Sequence, residues 1–193
     1  MKKKVTSFHC FLLHEDDKLN KIVVIGNSAS GKSTLSMKIK DITSIPVYHL
    51  DKILWKTGWE RTPEDEFTQK HDQILRKSRW IIDGVAYKST IKKRFEAADI
   101  IVFLDTPLEI CKERALQRMK EDLIRPNPYV TDGCKYPIEL VDEQNKTIEL
   151  FHNEYRSFVR NLAEKFVTNK PVFFLSADEE VTSFLNFIKK KSS

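Results

Sequence analysis

Short apolar runs alternate with amphipathic segments along most of the chain. The amphipathic segments repeat their apolar positions every three or four residues, as helices do, whereas the apolar runs have the length of buried strands. The predicted strands are Lys21–Ile25, Ile45–His49, Trp80–Asp83, Ile100–Leu104 and Val172–Leu175. Strands in alternation with helices are typical of βαβ units, so the pattern predicts an α/β domain with a parallel sheet between two layers of helices.

Signals for the starts of helices support this prediction. Thr62, Thr106 and Ser176 each stand where a hydroxyl can cap a helix, with an acidic residue three positions later. Proline follows the first two, as is common at the first helical residue. Farther along, an apolar stripe predicts one long helix that faces the core, and it is formed by Phe151, Tyr155, Phe158, Leu162 and Phe166.

The stretch from residue 121 to residue 137 lacks apolar periodicity. It follows a predicted helix, Leu108 to Lys120, that carries arginines, and it contains Pro126, Pro128, Gly133 and Pro137. Long loops of this composition are usually functional or mobile. We therefore predict a lid at about residues 121–137.

Length and charge limit the organisation of the chain. A chain of 193 residues suffices for one compact domain, and we expect it over residues 21–193, after an N-terminal extension of residues 1–20. The net charge of +5 raises the question of a nucleic-acid partner. However, six lysines in terminal clusters at 2–4 and 189–191 supply the excess, and the other 27 basic residues are balanced by 28 acidic ones. Direct binding of DNA is therefore not expected.

The cysteines and the N-terminal segment favour a cytoplasmic protein. Cys10, Cys111 and Cys134 are widely spaced and form no C-x-x-C motif, so they predict neither a disulfide framework nor a thiolate zinc site. The first apolar stretch holds His9 and runs into acidic residues, and no run approaches the ~18 apolar residues of a membrane span. We expect a cytoplasmic protein with no membrane partner.

One motif carries recognisable chemistry. The sequence GNSASGKST matches G-x-x-x-x-G-K-[ST] and lies between a predicted strand and a predicted helix, the context that the motif requires. Its glycines let backbone N–H groups curl around phosphate oxygens, Lys32 reaches the β- and γ-phosphates, and the Ser33 hydroxyl ligates Mg²⁺. We therefore expect a nucleotide with β- and γ-phosphates, together with Mg²⁺. The predicted phosphate loop comprises Gly26, Asn27, Ser28, Ala29, Ser30, Gly31, Lys32, Ser33 and Thr34.

Two aspartates at the ends of predicted strands are candidates for the metal carboxylate. Asp83 and Asp105 both stand where open α/β sheets place their ligands. An aspartate at either position is also able to cap a helix or a turn. We prefer Asp83, because Gly84 permits a close approach of the backbone beside it, and Asp105 remains the alternative.

A third aspartate, Asp51, follows the second predicted strand and precedes Trp55 and Trp59. Two interpretations are open. The carboxylate orients or deprotonates an acceptor hydroxyl while the indoles form an apolar wall, or it caps a helix above two core tryptophans. The first interpretation makes Asp51 a candidate catalytic residue.

Two pairs of arginines flank the predicted lid. Arg114 and Arg118 lie four residues apart on the preceding helix, and Arg156 and Arg160 repeat the spacing after the lid. Guanidinium groups spread over phosphate oxygens and stabilise the charge that develops in phosphoryl transfer. Any one of these arginines is equally compatible with a solvated surface. We predict catalytic roles for Arg114, Arg118 and Arg156.

These motifs resemble the P-loop kinases of the adenylate kinase-like group and, within it, the bacterial DNA topology modulation (FlaR-like) proteins. The resemblance rests on GNSASGKST, IPVYHLDKILWKTGW, WIIDG and IVFLDTPLEICKERALQR. It implies a P-loop NTPase fold with a five-stranded parallel sheet, ATP with Mg²⁺, and a lid over the phosphates. Asp83 falls on the aspartate of the D-G-F-P-R motif, and Arg114 and Arg118 fall on the two arginines at the start of the lid.

The chain departs from the adenylate kinase pattern after Gly84. The sequence Val85-Ala86-Tyr87 lacks the arginine that holds the phosphate of a nucleoside monophosphate, so AMP is not the expected acceptor. We predict transfer of the γ-phosphoryl group of ATP to an unidentified small-molecule acceptor. The alternative is an ATP-binding regulator that affects DNA topology and hydrolyses ATP only slowly. A monomer is the default expectation for this fold, and a homodimer remains open.

Overall fold

A five-stranded parallel sheet lies at the centre of the fold, in a computed structural model that describes residues 19–122, 124, 127–134 and 140–192. Its strands are β1 (Lys21–Gly26), β2 (Val47–His49), β5 (Trp80–Asp83), β6 (Ile100–Leu104) and β7 (Val172–Leu175). Their order across the sheet is β2-β5-β1-β6-β7, and every pair of neighbours is parallel. The strand prediction is confirmed, although β2 begins at Val47 rather than at Ile45, since Pro46 has no N–H to donate to the ladder.

Eight α-helices and a small hairpin complete the part of the chain that the structure describes. The helices are α1 (Lys32–Thr43), α2 (Asp51–Leu54), α3 (Glu64–Leu75), α4 (Lys88–Ala97), α5 (Leu108–Asp122), α6 (Val141–Leu150), α7 (Arg156–Glu164) and α8 (Asp178–Ser192). The antiparallel hairpin pairs β3 (Trp55–Lys56) with β4 (Glu60–Arg61). None of the helices in these ranges combines the length and apolar character that crossing a membrane requires.

Alternating side chains of the central strand divide the core in two. Val23 and Ile25 of β1 are fully buried in one cluster, against α3, α4 and α7. Ile22 and Val24 are fully buried in the opposite cluster, against α1 and α8. Successive residues of a strand point to opposite faces of a sheet, so helices on both sides enclose it. The predicted three-layer α/β/α arrangement is confirmed.

The single long helix predicted around residues 151–166 is wrong in detail. Phe151–Tyr155 forms a π-helical turn that joins α6 to α7, and α7 ends at Glu164. Phe151, Phe158 and Phe166 still pack, partly buried, against the core. The π turn has more residues per turn than an α-helix and keeps the helical path continuous. It therefore changes the direction of the side chains, so that α6 and α7 face different partners.

The predicted hydroxyl caps are also corrected. No side chain caps α3, whose first backbone bond runs from the Phe67 N–H to the Pro63 carbonyl at 2.9 Å, one residue later than predicted. Thr106 instead donates its hydroxyl to the Ser30 carbonyl at 3.1 Å. At α8 the cap is a carboxylate, because Glu180 accepts the backbone N–H of Ser176 at 2.6 Å.

A histidine is buried beside an arginine between α3 and α4. The His71 side chain is fully buried and stacks on Phe67, with ring centroids 6.0 Å apart. Arg94 is fully buried as well, and its guanidinium donates to the carbonyls of Gly84 at 3.3 Å and Val85 at 2.7 Å. Burial, together with the positive charge of Arg94, lowers the pKa of His71 from 6.5 to about 4. His71 is therefore neutral in the folded protein at pH 7.

We expect this histidine to destabilise the protein in mild acid. Between pH 6.5 and about 4 the unfolded chain binds a proton at His71 that the folded protein does not. The free energy of unfolding should therefore fall as the pH falls, by up to about 1.4 kcal/mol per pH unit from this group. Urea unfolding at pH 7, 6, 5 and 4.5 gives the free energy of unfolding of wild type and of His71→Gln, and the loss towards low pH should be smaller in the variant. The same pH dependence of the free energy of unfolding in both proteins would contradict the prediction.

Candidate active site

The phosphate loop (residues 26–34) makes a tight turn between β1 and α1. A side chain at Gly26 would bring its Cβ to 2.5 Å from the Leu104 carbonyl oxygen, so glycine is required where β1 passes β6. Ala29 and Gly31 both have positive φ angles, of 56° and 98°. Glycine adopts such angles at little cost, and the loop curls back onto itself.

The N-terminus of α1 opens into this loop. No side chain caps the helix at Gly31, so backbone N–H groups of the first turn are available to an anion, and the helix dipole favours negative charge there. Lys32 donates to the Asn27 carbonyl at 2.6 Å, across the loop. Burial lowers the pKa of Lys32, and the nearby charges of Asp51 and Asp83 oppose that shift. The loop therefore fits a polyphosphate.

Side chains from distant segments hold the loop in place. The Asn27 amide donates to the Ile148 carbonyl at 2.9 Å, and the Gln144 amide donates to the Ser28 hydroxyl at 2.7 Å. Both partners lie on α6, more than a hundred residues away in sequence. Sequence reasoning missed Gln144, because a polar residue in an amphipathic helix gives no local signal of such a contact.

Two of the predicted carboxylates lie together on the β5 side of the loop. Asp51 begins α2, directly after β2, and Asp83 ends β5, which pairs with β1. Burial raises the pKa of Asp51, while the positive charge of Lys32 counters that shift. The side chain of Asp83 is only 4% exposed and contacts His49, whose Nδ1 lies 3.0 Å from both carboxylate oxygens. Lys32, Asp51 and Asp83 thus form one charged cluster.

The two arginines of α5 lie beside this cluster and the loop. Arg118 is close enough for its charge to act on both Lys32 and Asp51. Arg114 stands near Gly31, where an added Cβ would lie 3.7 Å from its Nη1. Arg114 also lies 3.5 Å from Asp178, but both side chains are substantially exposed and such a pair contributes little to stability. The structure thus places the predicted pair at the phosphate loop.

The other arginine pair is engaged on the opposite side of β1. Arg156 forms two hydrogen bonds to Asp105, from Nε at 2.5 Å and from Nη2 at 2.8 Å, and Arg160 adds one at 3.0 Å. The hydrogen bonds to Asp105 raise the pKa of Arg156. Asp105 directly follows β6, and its side chain is 8% exposed. Its oxygens accept the hydrogen bonds of the two arginines. Of the two metal candidates, Asp83 is therefore the carboxylate not engaged by arginines.

Part of the predicted lid lies against the connection that follows β2. We name its described core, residues 127–134, the lid segment. Residues 123, 125–126 and 135–137 of the prediction lie outside the described residues. The Thr131 hydroxyl donates to the Trp55 carbonyl at 2.5 Å, and the Thr57 hydroxyl donates to the Asp132 carbonyl at 3.2 Å. Tyr129 contacts the ring of His49, with centroids 4.9 Å apart. The lid segment therefore lies against His49 and the hairpin that follows α2.

The two tryptophans of this region pack against each other, and their interpretation as an apolar wall for an acceptor stays a prediction. Trp55 and Trp59 form an edge-to-face pair with centroids 5.5 Å apart. Trp55 packs, partly buried, against the core beside α2. Trp59 has a positive φ of 64°, which is unusual for a bulky residue and occurs most often where surrounding structure or function enforces it. The pair thus links the core to the hairpin beneath the lid segment.

No family model and no curated protein matches the chain. Among solved structures, it is similar to a shikimate kinase from Acinetobacter baumannii in complex with shikimate, at 16% identity and a TM-score of 0.54, over 89% of this chain and 91% of that one. It also matches a deoxyadenosine kinase from M. mycoides with bound dATP (16% identity, TM-score 0.46, 89% and 98% covered). A gluconokinase from Sinorhizobium meliloti 1021 matches at 19% identity and a TM-score of 0.45, over 90% of this chain and 89% of that one. The match to the shikimate kinase shows that the two chains share a fold.

We expect the hydroxyl of Thr131 to hold the lid segment in place. Thr131→Val keeps the shape of the side chain but removes the donor to the Trp55 carbonyl. Proteolysis within residues 127–134 should become several-fold faster, while the free energy of unfolding falls by no more than about 1.5 kcal/mol. Thr131→Ser, which keeps the donor, is the control. Equal cleavage of all three proteins would show that this hydrogen bond does not hold the segment.

Proposed function

We propose that the protein is an ATP- and Mg²⁺-dependent phosphotransferase that transfers the γ-phosphoryl group to a hydroxyl of a small molecule. One observation carries the proposal: the uncapped N-terminus of α1 and Lys32 lie near the partly buried Asp51 and the buried Asp83 at one end of the sheet. A phosphate-binding surface beside a buried base is the arrangement that phosphoryl transfer to an acceptor requires. Within the P-loop kinases, we assign the chain to the FlaR-like group that its motifs resemble.

The residues present fit ATP with Mg²⁺. Backbone N–H groups of the first turn of α1 and the Lys32 ammonium would bind the β- and γ-phosphates. The described residues include no cluster of three or more metal-ligating His, Cys, Asp or Glu side chains, so a cation there takes most of its ligands from phosphate and water, as Mg²⁺ does. Ser33 and Asp83 are the side chains that would hold it. Bound Mg²⁺ neutralises charge on the transferred phosphoryl group.

Asp51 is the group we assign to the acceptor. Burial raises its pKa, and a more basic carboxylate accepts a proton more readily from a hydroxyl during attack on the phosphorus. It begins α2, two residues after the end of β2, and lies close enough to Lys32 for the two charges to interact. The lid segment would exclude water from the reaction, so that the acceptor hydroxyl and not water takes the phosphoryl group.

The arginines take different roles in this proposal. Arg114 and Arg118 stabilise negative charge on the transferred group, because they lie at the loop and beside Lys32. Arg156 is bound to Asp105, so a catalytic role would require it to exchange that carboxylate for phosphate. We propose that the protein is a cytoplasmic monomer in which Cys111 and Cys134 are free thiols.

Replacing the loop lysine should abolish activity without unfolding the protein. Lys32→Met keeps the length of the side chain and removes its charge, so ATP-dependent phosphorylation of any accepted hydroxyl compound should fall by about 100-fold or more. ADP release with a panel of hydroxylated metabolites measures the rate, and thermal unfolding checks the fold. Lys38→Met, an exposed site on the same helix, is the matched control. Activity of Lys32→Met within threefold of wild type would exclude the proposal.

Replacing the candidate base should separate ATP binding from transfer. Asp51→Asn is nearly isosteric and cannot accept the proton, so acceptor-dependent ADP release should fall by about 10²- to 10⁴-fold. The Kd for ATP, measured by calorimetry, should stay within about threefold, because Asp51 does not touch the phosphates in this assignment. Asp65→Asn, on the exposed face of α3, is the control. A large loss of ATP affinity with unchanged turnover would assign Asp51 to the nucleotide instead.

A further inference from the structure

We infer that His49 is a positioning residue that fixes the carboxylate of Asp83 for the Mg²⁺–ATP complex; this inference rests on the proposed function. Nδ1 of His49 lies 3.0 Å from both oxygens of Asp83. A carboxylate only accepts hydrogen bonds, so Nδ1 carries the hydrogen and donates to both oxygens. Because one donor bonds both oxygens, the carboxylate group is held in place at the edge of the imidazole.

The contact follows directly from the pairing of the strands. His49 ends β2 and Asp83 ends β5, and the two residues are partners in the parallel register. Paired residues of neighbouring strands point to the same side of a sheet. The two side chains therefore meet at the carboxyl end of the sheet, next to β1 and the phosphate loop. Both are largely buried, with side-chain exposures of 11% and 4%.

The hydrogen bond leaves Asp83 able to act on a cation. Each carboxylate oxygen has a second lone pair, and a donor at one edge leaves the remaining pairs available to water or a metal ion. Mg²⁺ keeps several of its waters in nucleotide sites, so a carboxylate with a fixed orientation can accept hydrogen bonds from those waters. A partner that orients such a carboxylate typically changes metal affinity or activity by about 10- to 100-fold.

The lid segment covers the other side of the imidazole. The ring of Tyr129 is tilted by 47° against that of His49, at 4.9 Å between centroids. The adjacent Thr131 hydroxyl binds the Trp55 carbonyl, which keeps the tyrosine in place. Docking of the lid segment thus also fixes the residue that orients Asp83. This gives the segment a second role besides excluding water.

A pair of near-isosteric variants tests the inference. His49→Asn keeps an N–H donor close to the position of Nδ1, whereas His49→Leu has a similar shape and no donor. The readout is the Kd of ATP measured by calorimetry with Mg²⁺ and with EDTA, so no acceptor is needed. We expect Mg²⁺ to tighten ATP binding to wild type, His49→Leu to lose about tenfold of that enhancement, and His49→Asn to keep most of it. The Kd in EDTA should be the same for all three proteins.

The outcomes distinguish the inference from the proposed function. If wild type binds ATP no tighter with Mg²⁺ than with EDTA, the proposed function fails. If wild type shows the enhancement and His49→Leu shows it equally, the inference alone is overturned. It is also overturned if His49→Asn and His49→Leu lose the enhancement equally and in step with their melting temperatures, because the imidazole would then only support the fold.

Discussion

The parallel pairing of β1 with β5 and of β5 with β2 is the constraint on which the site depends. Parallel strands end at the same edge of a sheet, so the phosphate loop, Asp83 and His49 meet there without any special local sequence. Asp51 begins the next helix and joins them. The fold thus gathers three segments that are distant in sequence into one charged cluster. The positive end of the α1 dipole lies beside this cluster and favours the binding of phosphate.

The cluster places opposite charges where water is scarce. Burial lowers the pKa of Lys32 and raises that of Asp51, and each charge partly relieves the cost of burying the other. On the far side of β1, Asp105 pairs with both Arg156 and Arg160. The two ion-pair groups flank the phosphate loop and differ in one respect. The arginines satisfy Asp105, whereas Asp51 and Asp83 retain capacity for a ligand.

The sequence predicted the elements whose signals are local. Runs of apolar residues identified all five strands of the central sheet, and the glycines and lysine of the motif identified the phosphate loop. Contacts between distant segments gave no such signal: the bond of Gln144 to Ser28, the docking of Tyr129 on His49 and the capture of Arg156 by Asp105 depend on how helices pack after they form. The bond that the Thr106 hydroxyl donates to the Ser30 carbonyl is another contact between distant segments.

The π turn at Phe151–Tyr155 separates two tasks within one helical path. Before it, α6 holds the phosphate loop through Gln144 and the Ile148 carbonyl; after it, α7 holds the end of β6 through Arg156. Each residue of an α-helix turns the chain by roughly 100°. Deleting one residue here would rotate α7 away from Asp105 while α6 kept its contacts. Natural variation in length at this turn would therefore change the direction of the arginines on α7 without changing the contacts between α6 and the phosphate loop.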